Sequence, residues 1–424
     1  MVHKPSIRRK KQTKQRNKQL ISWKYTKRLL NVCISIIELA KIYALFIKAT
    51  FKDMLMSSTL YTSPRLDGFR MPAEHEPQEQ VWMAWPTRED NWREKGKHAQ
   101  AEFVAVATAI AQSTKVTFIV DAKHYEQARL ALPDQIRVIE IPSDDCWMRD
   151  IGATYVVNDQ GERRANSWQF NAWGGELDGL YDSWEQDNAV AEKMAAVTGD
   201  YVYHAPLILE GGSIHVDGEG TLYTTEECLL HPSRNPHLSK EDIEDLLKVY
   251  LNVEKIIWLK DGLYNDETNG HVDNIMHVIR PGVVALTDCE DSNDPQYAIS
   301  KAAIKVLSQA IDAKGRTLEI IKLPMPGPLF VSEDEAKNLL KSDSMNRQVG
   351  ERLAASYANF LITNNSIVFP TFGEKTDEQA KEILQKAFPE HKVIGVYARN
   401  ILLGGGNIHC ITQQVPEKCS IKVV

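Results

Sequence analysis

The sequence of 424 residues lacks the signals of several specialised protein classes. Its six cysteines form no Cys-x-x-Cys pair and no group with zinc-ligand spacing, and a chain of this size needs no disulfide staples. The most apolar stretch, residues 29–51, is interrupted by Glu38, Lys41 and Lys48, so it is too broken for a membrane span of about 20 apolar residues. We therefore expect reduced thiols in the cytoplasm, no bound metal and no membrane contact of the globular body.

Motifs for nucleotide binding and for serine hydrolysis are also missing. The glycine-rich segments Gly211-Gly212 and Gly404-Gly405-Gly406 fit neither a phosphate-binding loop nor a dinucleotide-binding fingerprint. The sequence contains no Gly-x-Ser-x-Gly segment, which would mark the nucleophile of an α/β-hydrolase. A nucleotide cofactor and a serine nucleophile therefore have no support in the sequence.

Charge is unevenly divided between a basic head and an acidic body. Residues 1–53 carry 14 Lys and Arg and two acids, whereas the rest of the chain carries 36 Lys and Arg and 55 Asp and Glu. An acidic body repels a phosphate backbone, which argues against nucleic acid as its ligand. A negative cleft would instead concentrate a small cationic ligand, and this is the partner that we expect.

The basic head, residues 1–60, has three interpretations. Residues 1–20 hold eight basic side chains and no acid, which fits an organellar transit peptide or a basic amphipathic helix for an anionic surface. The third interpretation is a non-structural upstream extension, because Met54 and Met56 stand just ahead of the first globular-looking sequence. We adopt the third interpretation and leave the head out of the fold.

The body shows alternating strand and helix patterns. Strand-like runs, rich in β-branched and aromatic residues and bounded by turn residues, are 116–120, 136–141, 154–157, 221–225, 255–259, 283–287, 318–323, 366–369 and 393–397. Helical patterns cover 98–112, 185–198, 239–250, 296–312 and 376–388. The alternation indicates an α/β protein with one catalytic domain over 68–415 and a short tail over 416–424. Periodicity alone favours a doubly wound sheet, although five successive units of a helix with strands can also be drawn.

Four segments combine reactive side chains with tight turns: 144–152, 209–212, 267–273 and 402–410. Each ends a strand-like run or contains glycine, and such turns present side chains at the rim of a fold. His271 and Asp273 would share one face of a strand. Taken singly, Cys410 fits a core thiol, His271 a buried hydrogen-bonded histidine and Glu210 a turn acid. Their joint occurrence favours a catalytic site.

These segments resemble the motifs of the agmatine deiminases, a family in the guanidine-modifying superfamily often called penteins. The matching stretches, in the family's order, are Trp147-Met148-Arg149-Asp150, Leu209-Glu210-Gly211-Gly212, Asn269-Gly270-His271-Val272-Asp273 and Gly404-Gly405-Gly406-Asn407-Ile408-His409-Cys410. The resemblance runs from about residue 71 to residue 414. It implies a five-bladed α/β propeller of pseudo-fivefold ββαβ-type modules. It also implies hydrolysis of agmatine to N-carbamoylputrescine and ammonia, in putrescine biosynthesis.

The resemblance implies a role for each reactive residue. Cys410 would be the nucleophile and form a covalent amidino-cysteine intermediate. Asp150 and Asp273 would hold the guanidinium in forked hydrogen bonds. His271 would protonate the departing ammonia and then deprotonate water, with Glu210 fixing its orientation.

Further implied contacts concern the part of the substrate away from the reacting carbon. Glu267 would lie beside it, and Trp147 would pack on the aliphatic chain or on the guanidinium face. No cofactor and no metal are implied, and a homo-oligomer is expected. Two alternatives stay open: a deiminase of arginine or peptidyl-arginine, and a catalytically silent binder of agmatine or another polyamine.

Overall fold

Short strands and helices alternate along residues 59–337 and 347–418, which are the residues that the computed structural model describes. The predicted basic head, except for its last two residues, lies outside this part of the chain, and so do residues 419–424 of the predicted tail. From Leu60 onward the described residues belong to one compact unit. No helix within the two described ranges combines the length and the hydrophobicity that a bilayer span requires.

Seventeen strands lie within the described residues. They are β1 (Thr59–Leu60), β2 (Gln78–Ala84), β3 (Lys115–Val120), β4 (Arg137–Glu140), β5 (Thr154–Val157), β6 (Arg163–Gln169), β7 (Tyr201–Ile208), β8 (His215–Val216), β9 (Thr221–Thr225), β10 (Lys255–Leu259), β11 (Met276–Arg280), β12 (Val283–Asp288), β13 (Glu319–Pro324), β14 (Leu361–Ile362), β15 (Ser366–Thr371), β16 (Lys392–Tyr397) and β17 (Gln413–Pro416). The nine predicted strands are confirmed as β3, β4, β5, β9, β10, β12, β13, β15 and β16. Among the others, β7 contains Pro206, a residue that argues against a strand within a sequence pattern.

Twelve α-helices lie within the same residues. They are α1 (Lys97–Ile110), α2 (Tyr125–Ala131), α3 (Met148–Ile151), α4 (Gly175–Asp178), α5 (Glu185–Asn188), α6 (Val190–Thr198), α7 (Glu226–Leu229), α8 (Lys240–Leu251), α9 (Val272–Ile275), α10 (Pro295–Gln309), α11 (Thr376–Ala387) and α12 (Arg399–Leu403). Short 3₁₀ turns occur at Arg93–Gly96, Ala122–His124 and Gly211–Ser213. The five predicted helices are confirmed as α1, α5 with α6, α8, α10 and α11.

The strands form five small sheets, so the expectation of one doubly wound sheet is wrong. The strand orders are β17-β2-β3-β4, β1-β7-β6-β5, β8-β9-β10, β11-β12-β13 and β14-β15-β16. In every sheet an antiparallel pair is followed by a strand that pairs in parallel. Hydrophobic periodicity locates strands and helices but carries no information on which strands pair, and this is why it favours the wrong topology here.

Separate hydrophobic clusters join the helices to these sheets. Phe103 of α1 lies in one cluster with Phe118 of β3. Leu247 of α8 lies in a second cluster with Leu222 of β9, and Leu384 of α11 belongs to a third. These helices bury their apolar stripes against strands, and α11 packs on β13 of one sheet as well as on β16 of the next.

The reactive side chains lie in the segments that lead from one sheet to the next. Asp150 is in α3, between β4 and β5, and Glu210 follows β7. Asp273 is in α9, between β10 and β11, and Asn359 precedes β14. Cys410 lies between α12 and β17. Each of the five sheet-to-sheet connections thus supplies one polar side chain to the same region.

Candidate active site

The thiol of Cys410 is buried beside a carboxylate and an amide. Only 5% of the residue is exposed. Its sulfur lies 3.8 Å from Asp273 Oδ2 and 3.2 Å from Asn359 Nδ2. The carbonyl oxygen of Cys410 accepts a hydrogen bond of 3.0 Å from the backbone N–H of Arg149, which ties the thiol segment to α3.

The glycines before Cys410 allow close contact with two indole rings. A Cβ atom at Gly404 would overlap Trp92 Cη2, and one at Gly406 would lie 2.5 Å from Trp147 Cζ3. Both separations are shorter than van der Waals contact, so any larger residue would displace the thiol segment. The glycines therefore serve the approach of the rings that pack on this segment.

Asp150, Asp273 and His271 converge on Gly212. A Cβ atom at Gly212 would lie 3.0 Å from Asp150 Oδ1, 3.0 Å from Asp273 Oδ2 and 2.6 Å from His271 Nδ1. The backbone N–H of Gly212 donates to Asp150 Oδ1 at 2.9 Å. The expectation that His271 and Asp273 share a strand face is wrong, because His271 precedes the short helix α9 and Asp273 lies within it. A helical turn brings their side chains to one point instead.

His271 lies between two carboxylates and a second thiol. Its Nδ1 is 3.9 Å from Asp150 Oδ2, and its Nε2 is 3.7 Å from Glu210 Oε2. Cys228, to which the sequence assigns no role, has its sulfur within 4.8 Å of the donor atoms of both Glu210 and His271. Burial lowers the pKa of His271, but the neighbouring groups, chiefly Asp150 and Cys228, raise it by a larger amount. The resulting pKa lies well above 6.5. The imidazole is therefore protonated at neutral pH.

Glu210 is held by Arg234, which the sequence analysis missed. Arg234 Nε donates to Glu210 Oε1 at 2.8 Å, and both side chains are fully buried. The guanidinium also donates to the carbonyl oxygen of Thr268 at 2.8 Å and to Asn269 Oδ1 at 2.7 Å, just ahead of His271. Burial raises the pKa of Glu210, but the charges and hydrogen bonds of Arg234 and His271 together outweigh burial and lower the pKa to about 2. Arg234 thus keeps Glu210 ionised and fixes the segment that carries His271.

Asp150 is the buried carboxylate whose ionisation costs most at this site. Burial raises its pKa to about 6, with Asp273 and Glu210 adding like charges, while His271 acts in the opposite direction. Trp173 donates its indole N–H to Asp150 Oδ2 at 2.9 Å, a contact with no sequence signal. A cation bound here would relieve the repulsion between the carboxylates.

The thiol of Cys410 is protonated in the unliganded protein. Burial raises its pKa well above 9, and the negative charges of Asp273 and Asp150 raise it further. Contacts with Asn407 and Asn359 oppose this shift only partly. Because two of the causes are carboxylate charges, a cation between those carboxylates would favour the thiolate.

Asn359 is a second residue that the sequence analysis missed. Its Oδ1 accepts from the backbone N–H of His409 at 2.9 Å, and its Nδ2 donates to Asn274 Oδ1 at 2.9 Å. The one available signal is a polar residue inside the buried run 357–362, where an unpaired amide would be costly. Asn359 therefore links the segment that carries Cys410 to α9.

Glu267 and Trp147 lie along the glycine segment. The carboxylate of Glu267 forms an ion pair with Arg347, and a Cβ atom at Gly405 would lie 2.7 Å from its Oε2. Trp147 packs on Trp92 with ring centroids 5.3 Å apart. The roles of Glu267 and Trp147 toward a substrate stay predictions, and Arg347 is an additional cation that the sequence does not foretell.

A second buried cluster lies beneath the site and consists of Glu74, His215, His277 and His409. Their donor atoms lie within 4.8 Å of one another, so the fold assembles a set of metal-type ligands that local spacing cannot reveal. However, both ring nitrogens of His409 already contact carboxylates, at 2.7 and 2.8 Å. Arg149 Nη2 lies 3.7 Å from Glu74 Oε2 and adds positive charge. These groups favour a protonated imidazole over a metal ion at this position.

The five small mixed sheets define an α/β protein. Its candidate site is a buried thiol that lies among carboxylates and a histidine, an arrangement suited to a planar cation. A family model described as the Porphyromonas-type peptidyl-arginine deiminase matches residues 70–416. The chain belongs to this family.

Proteins named as agmatine deiminases are similar to the chain over most of its length. A protein of Photobacterium profundum, provisionally named an agmatine deiminase, is 61% identical over 362 residues, which are 85% of this chain and 100% of the relative. The structure of the agmatine deiminase of Enterococcus faecalis has 46% identity and a TM-score of 0.83, over 85% of this chain and 99% of its own. The structure of C. jejuni agmatine deiminase with substrate bound has 29% identity and a TM-score of 0.72, over 83% and 97%. The mixed α/β fold is thus similar to solved agmatine deiminase structures.

Proposed function

We propose that the chain hydrolyses agmatine to N-carbamoylputrescine and ammonia, a step toward putrescine. The observation that carries this proposal is the convergence of Asp150, Asp273 and His271 on Gly212, with the Cys410 thiol 3.8 Å from Asp273. A planar guanidinium can give N–H groups to two carboxylates while its carbon faces a sulfur nucleophile. The names of the relatives at 46–61% identity agree with this substrate.

We also propose that the five sheets are the blades of a propeller with pseudo-fivefold symmetry. Each sheet repeats an antiparallel pair followed by a parallel strand. Each sheet-to-sheet connection supplies one polar side chain to the same centre. The pairing of β17 with β2 joins the two ends of the described fold, as the closing blade of a propeller requires. These three regularities support radial repetition over a linear array of sheets.

Substrate binding would use one acceptor atom that the protein leaves free and a second carboxylate whose orientation is fixed. Asp273 Oδ1 is buried and has no hydrogen-bond partner among the described residues. Asp150 uses one oxygen for Gly212 N–H and the other for the Trp173 indole, so its carboxylate plane is fixed. The guanidinium would satisfy Asp273 Oδ1 and cancel the repulsion between the two carboxylates.

The first chemical step forms the covalent intermediate. Binding of the cation lowers the cost of the Cys410 thiolate, and the thiol proton leaves to solvent. The thiolate attacks the central carbon, and a new C–S bond forms as the planar centre becomes tetrahedral. His271, protonated at neutral pH, transfers its proton to the departing nitrogen, so that the C–N bond breaks and ammonia leaves.

The second step releases the product. His271, now neutral, removes a proton from a water molecule, and the hydroxide adds to the amidino carbon. The C–S bond breaks and the sulfur leaves as a thiolate, which takes up the proton of the added hydroxyl group and so becomes the thiol again. The carbon keeps the oxygen as a urea group. Glu210, ionised beside Arg234, stabilises the protonated imidazole at the start and at the end of the cycle.

The deiminases of arginine and peptidyl-arginine are the competing functions, and two observations favour agmatine. The reacting residues are deeply buried, with Cys410 5% and His271 1% exposed, which suits a small substrate better than a peptide. Arg347 is already paired with Glu267, so its charge is engaged and cannot freely bind the carboxylate of arginine.

The test is ammonia and urea-group formation from agmatine, arginine and a peptidyl-arginine substrate, measured side by side. We expect turnover of agmatine alone, and its loss in Cys410→Ala. The matched control is Cys289→Ala, which removes an equally buried thiol from another part of the fold and should retain activity. Turnover of arginine in place of agmatine, or full activity of Cys410→Ala, would overturn the proposal.

The cellular location and the oligomeric state of the chain are also proposals. The four described cysteines are all free, which fits a reducing compartment such as the cytoplasm. A homo-oligomer stays a prediction, which light scattering of the purified chain measures directly. We assign neither nucleic acid nor membrane as a ligand of the acidic body.

A further inference from the structure

We infer that Glu74 and His409 are positioning residues that keep Asp273 ionised and oriented for the substrate. His409 Nδ1 lies 2.7 Å from Asp273 Oδ2, and His409 Nε2 lies 2.8 Å from Glu74 Oε2. The inference rests on the proposed function, because it concerns the carboxylate that binds the guanidinium there. All three side chains are buried.

The two distances define the protonation state of His409. A neutral imidazole carries a single N–H, so it can donate to only one of two carboxylates. With both Glu74 and Asp273 ionised, short contacts on both nitrogens therefore require an imidazolium between them. The pKa directions agree: burial and Arg149 lower the pKa of His409, but Glu74 and Asp273 outweigh them. The pKa of Asp273 is lowered in turn, because hydrogen bonding to His409 and its charge overcome burial.

The other groups around His409 leave its charge in place. The rings of His215 and His277 lie 5.1 and 5.0 Å from the ring of His409. Burial lowers the pKa of both, and further positive charge nearby adds to the shift of His215, so these two imidazoles are neutral. Arg149 faces Glu74 at 3.7 Å and helps to hold that carboxylate ionised.

Backbone contacts fix the position of both positioning residues. The N–H of His409 donates to Asn359 Oδ1 at 2.9 Å. The N–H of Ile362 in β14 donates to Glu74 Oε1 at 2.7 Å, which leaves Glu74 Oε2 directed at His409. The chain Ile362–Glu74–His409–Asp273 therefore connects a sheet backbone to the substrate carboxylate through hydrogen bonds.

The consequence concerns two acids in one buried site. Asp150 and Asp273 repel each other, and two carboxylates in this situation tend to share a proton. The imidazolium of His409 compensates the charge of Asp273, so that the rise in pKa falls on Asp150, whose pKa is about 6. With Oδ2 of Asp273 engaged by His409, Oδ1 remains for the substrate.

Steady-state kinetics of single and double variants test the connection. Glu74→Gln keeps the shape but removes the charge, and we expect kcat/KM for agmatine to fall about 10- to 100-fold. His409→Asn keeps a neutral donor near Nδ1 and should cause a similar loss. Because both act through one path, the double variant should be no worse than His409→Asn alone.

A matched control uses Glu102, which is as buried as Glu74 at 8% exposure and binds the backbone N–H groups of Asn400 and Ile401. Any effect of Glu102→Gln should multiply with that of His409→Asn. If the Glu74→Gln and His409→Asn effects multiply fully as well, the positioning role is wrong.

A nuclear magnetic resonance measurement separates this inference from the proposed function. Side-chain ¹⁵N resonances of selectively labelled histidines, with His409 assigned by its absence in His409→Asn, should show an imidazolium from pH 6 to 9. In Glu74→Gln the same resonances should titrate within that range. A neutral His409 in the unsubstituted chain at pH 7 would refute the inference, whatever the activity. An imidazolium in a chain that does not hydrolyse agmatine would instead refute the proposed function alone.

Discussion

The indole N–H of Trp173 donates to Asp150 Oδ2 from a backbone position in the left-handed region, with φ of 62°. Ala172 before it is also left-handed, with φ of 54°. Such conformations cost non-glycine residues on the order of 1–3 kcal/mol each. The surrounding structure maintains them, and the outcome is a rigid donor aimed at the carboxylate of the proposed clamp.

Trp173→Phe should weaken this clamp without changing the core shape. The variant loses a hydrogen bond to a charged group, which is worth about 1.5–3 kcal/mol, so kcat/KM for agmatine should fall about 10- to 100-fold. The matched control is Trp168→Phe, which removes a buried indole donor from Thr154 Oγ1, and it should change kcat/KM less than about twofold. Equal effects of the two variants would assign the loss to packing.

The pH profile of kcat/KM should report two ionisations of the free protein. Asp150, with a pKa of about 6, must be ionised to bind the cation, and Cys410, with a pKa well above 9, must lose its proton to attack. Falling pH therefore removes both active forms. A plot of log(kcat/KM) against pH should rise with a slope of two below about pH 6 and of one above it. A flat profile between pH 5 and 8 would contradict both assignments.

Asn359→Asp should lower the reactivity of the Cys410 thiol while preserving the contact with the backbone N–H of His409. The carboxylate can still accept from the N–H of His409, but it replaces the amide donor 3.2 Å from Cys410 Sγ with a negative charge. The thiol pKa should rise further, and both kcat and the rate of alkylation by iodoacetamide should fall about 100-fold. Asn364→Asp is the control, because its amide bridges the backbone of Gln78 instead. Unchanged alkylation in Asn359→Asp would refute a role in tuning the thiol.

Arg234→Met should destabilise the whole fold. It leaves Glu210 buried without its cation, which typically costs about 3–5 kcal/mol, and urea denaturation measures the loss. Arg65→Met, which breaks an exposed pair with Glu254, should cost no more than about 1 kcal/mol. Adding Glu210→Gln to Arg234→Met should recover part of the stability. A double variant no more stable than Arg234→Met would show that an uncompensated charge is not the cause.

Local sequence patterns predict many of the strands and helices of the fold. Strand-like runs such as 221–225 and 255–259 coincide with β9 and β10, because β-branched and aromatic residues bounded by turns report local conformation. Hydrophobic periodicity does not predict that the strands group into five sheets, because it contains no information on which strands pair. The family resemblance is confirmed by the family model and the relatives, and the propeller that it implies stays a proposal.

The residues of the candidate site also fall into those that local motifs predict and those that the sequence does not reveal. Motifs predict Cys410, His271 and Asp150 as site residues, since their neighbours in sequence are themselves distinctive, and their roles stay predictions. Arg234 and Trp173 escape prediction because each acts on a residue in another connection of the fold, through a contact that no local spacing encodes. Long-range hydrogen bonds of this kind become visible only when the sheets are assembled.

The pairing of β17 with β2 has a consequence for biosynthesis. Gln413 and Gln414 pair with Trp82 and Val81, so the sheet that contains β2 is completed by β17, the last of the described strands. The ribosome synthesises β2 early and β17 late, and Cys410, the proposed nucleophile, is synthesised just before β17. A chain whose synthesis stops before β17 lacks the partner of β2, so we expect the proposed activity to appear only after β17 has been translated.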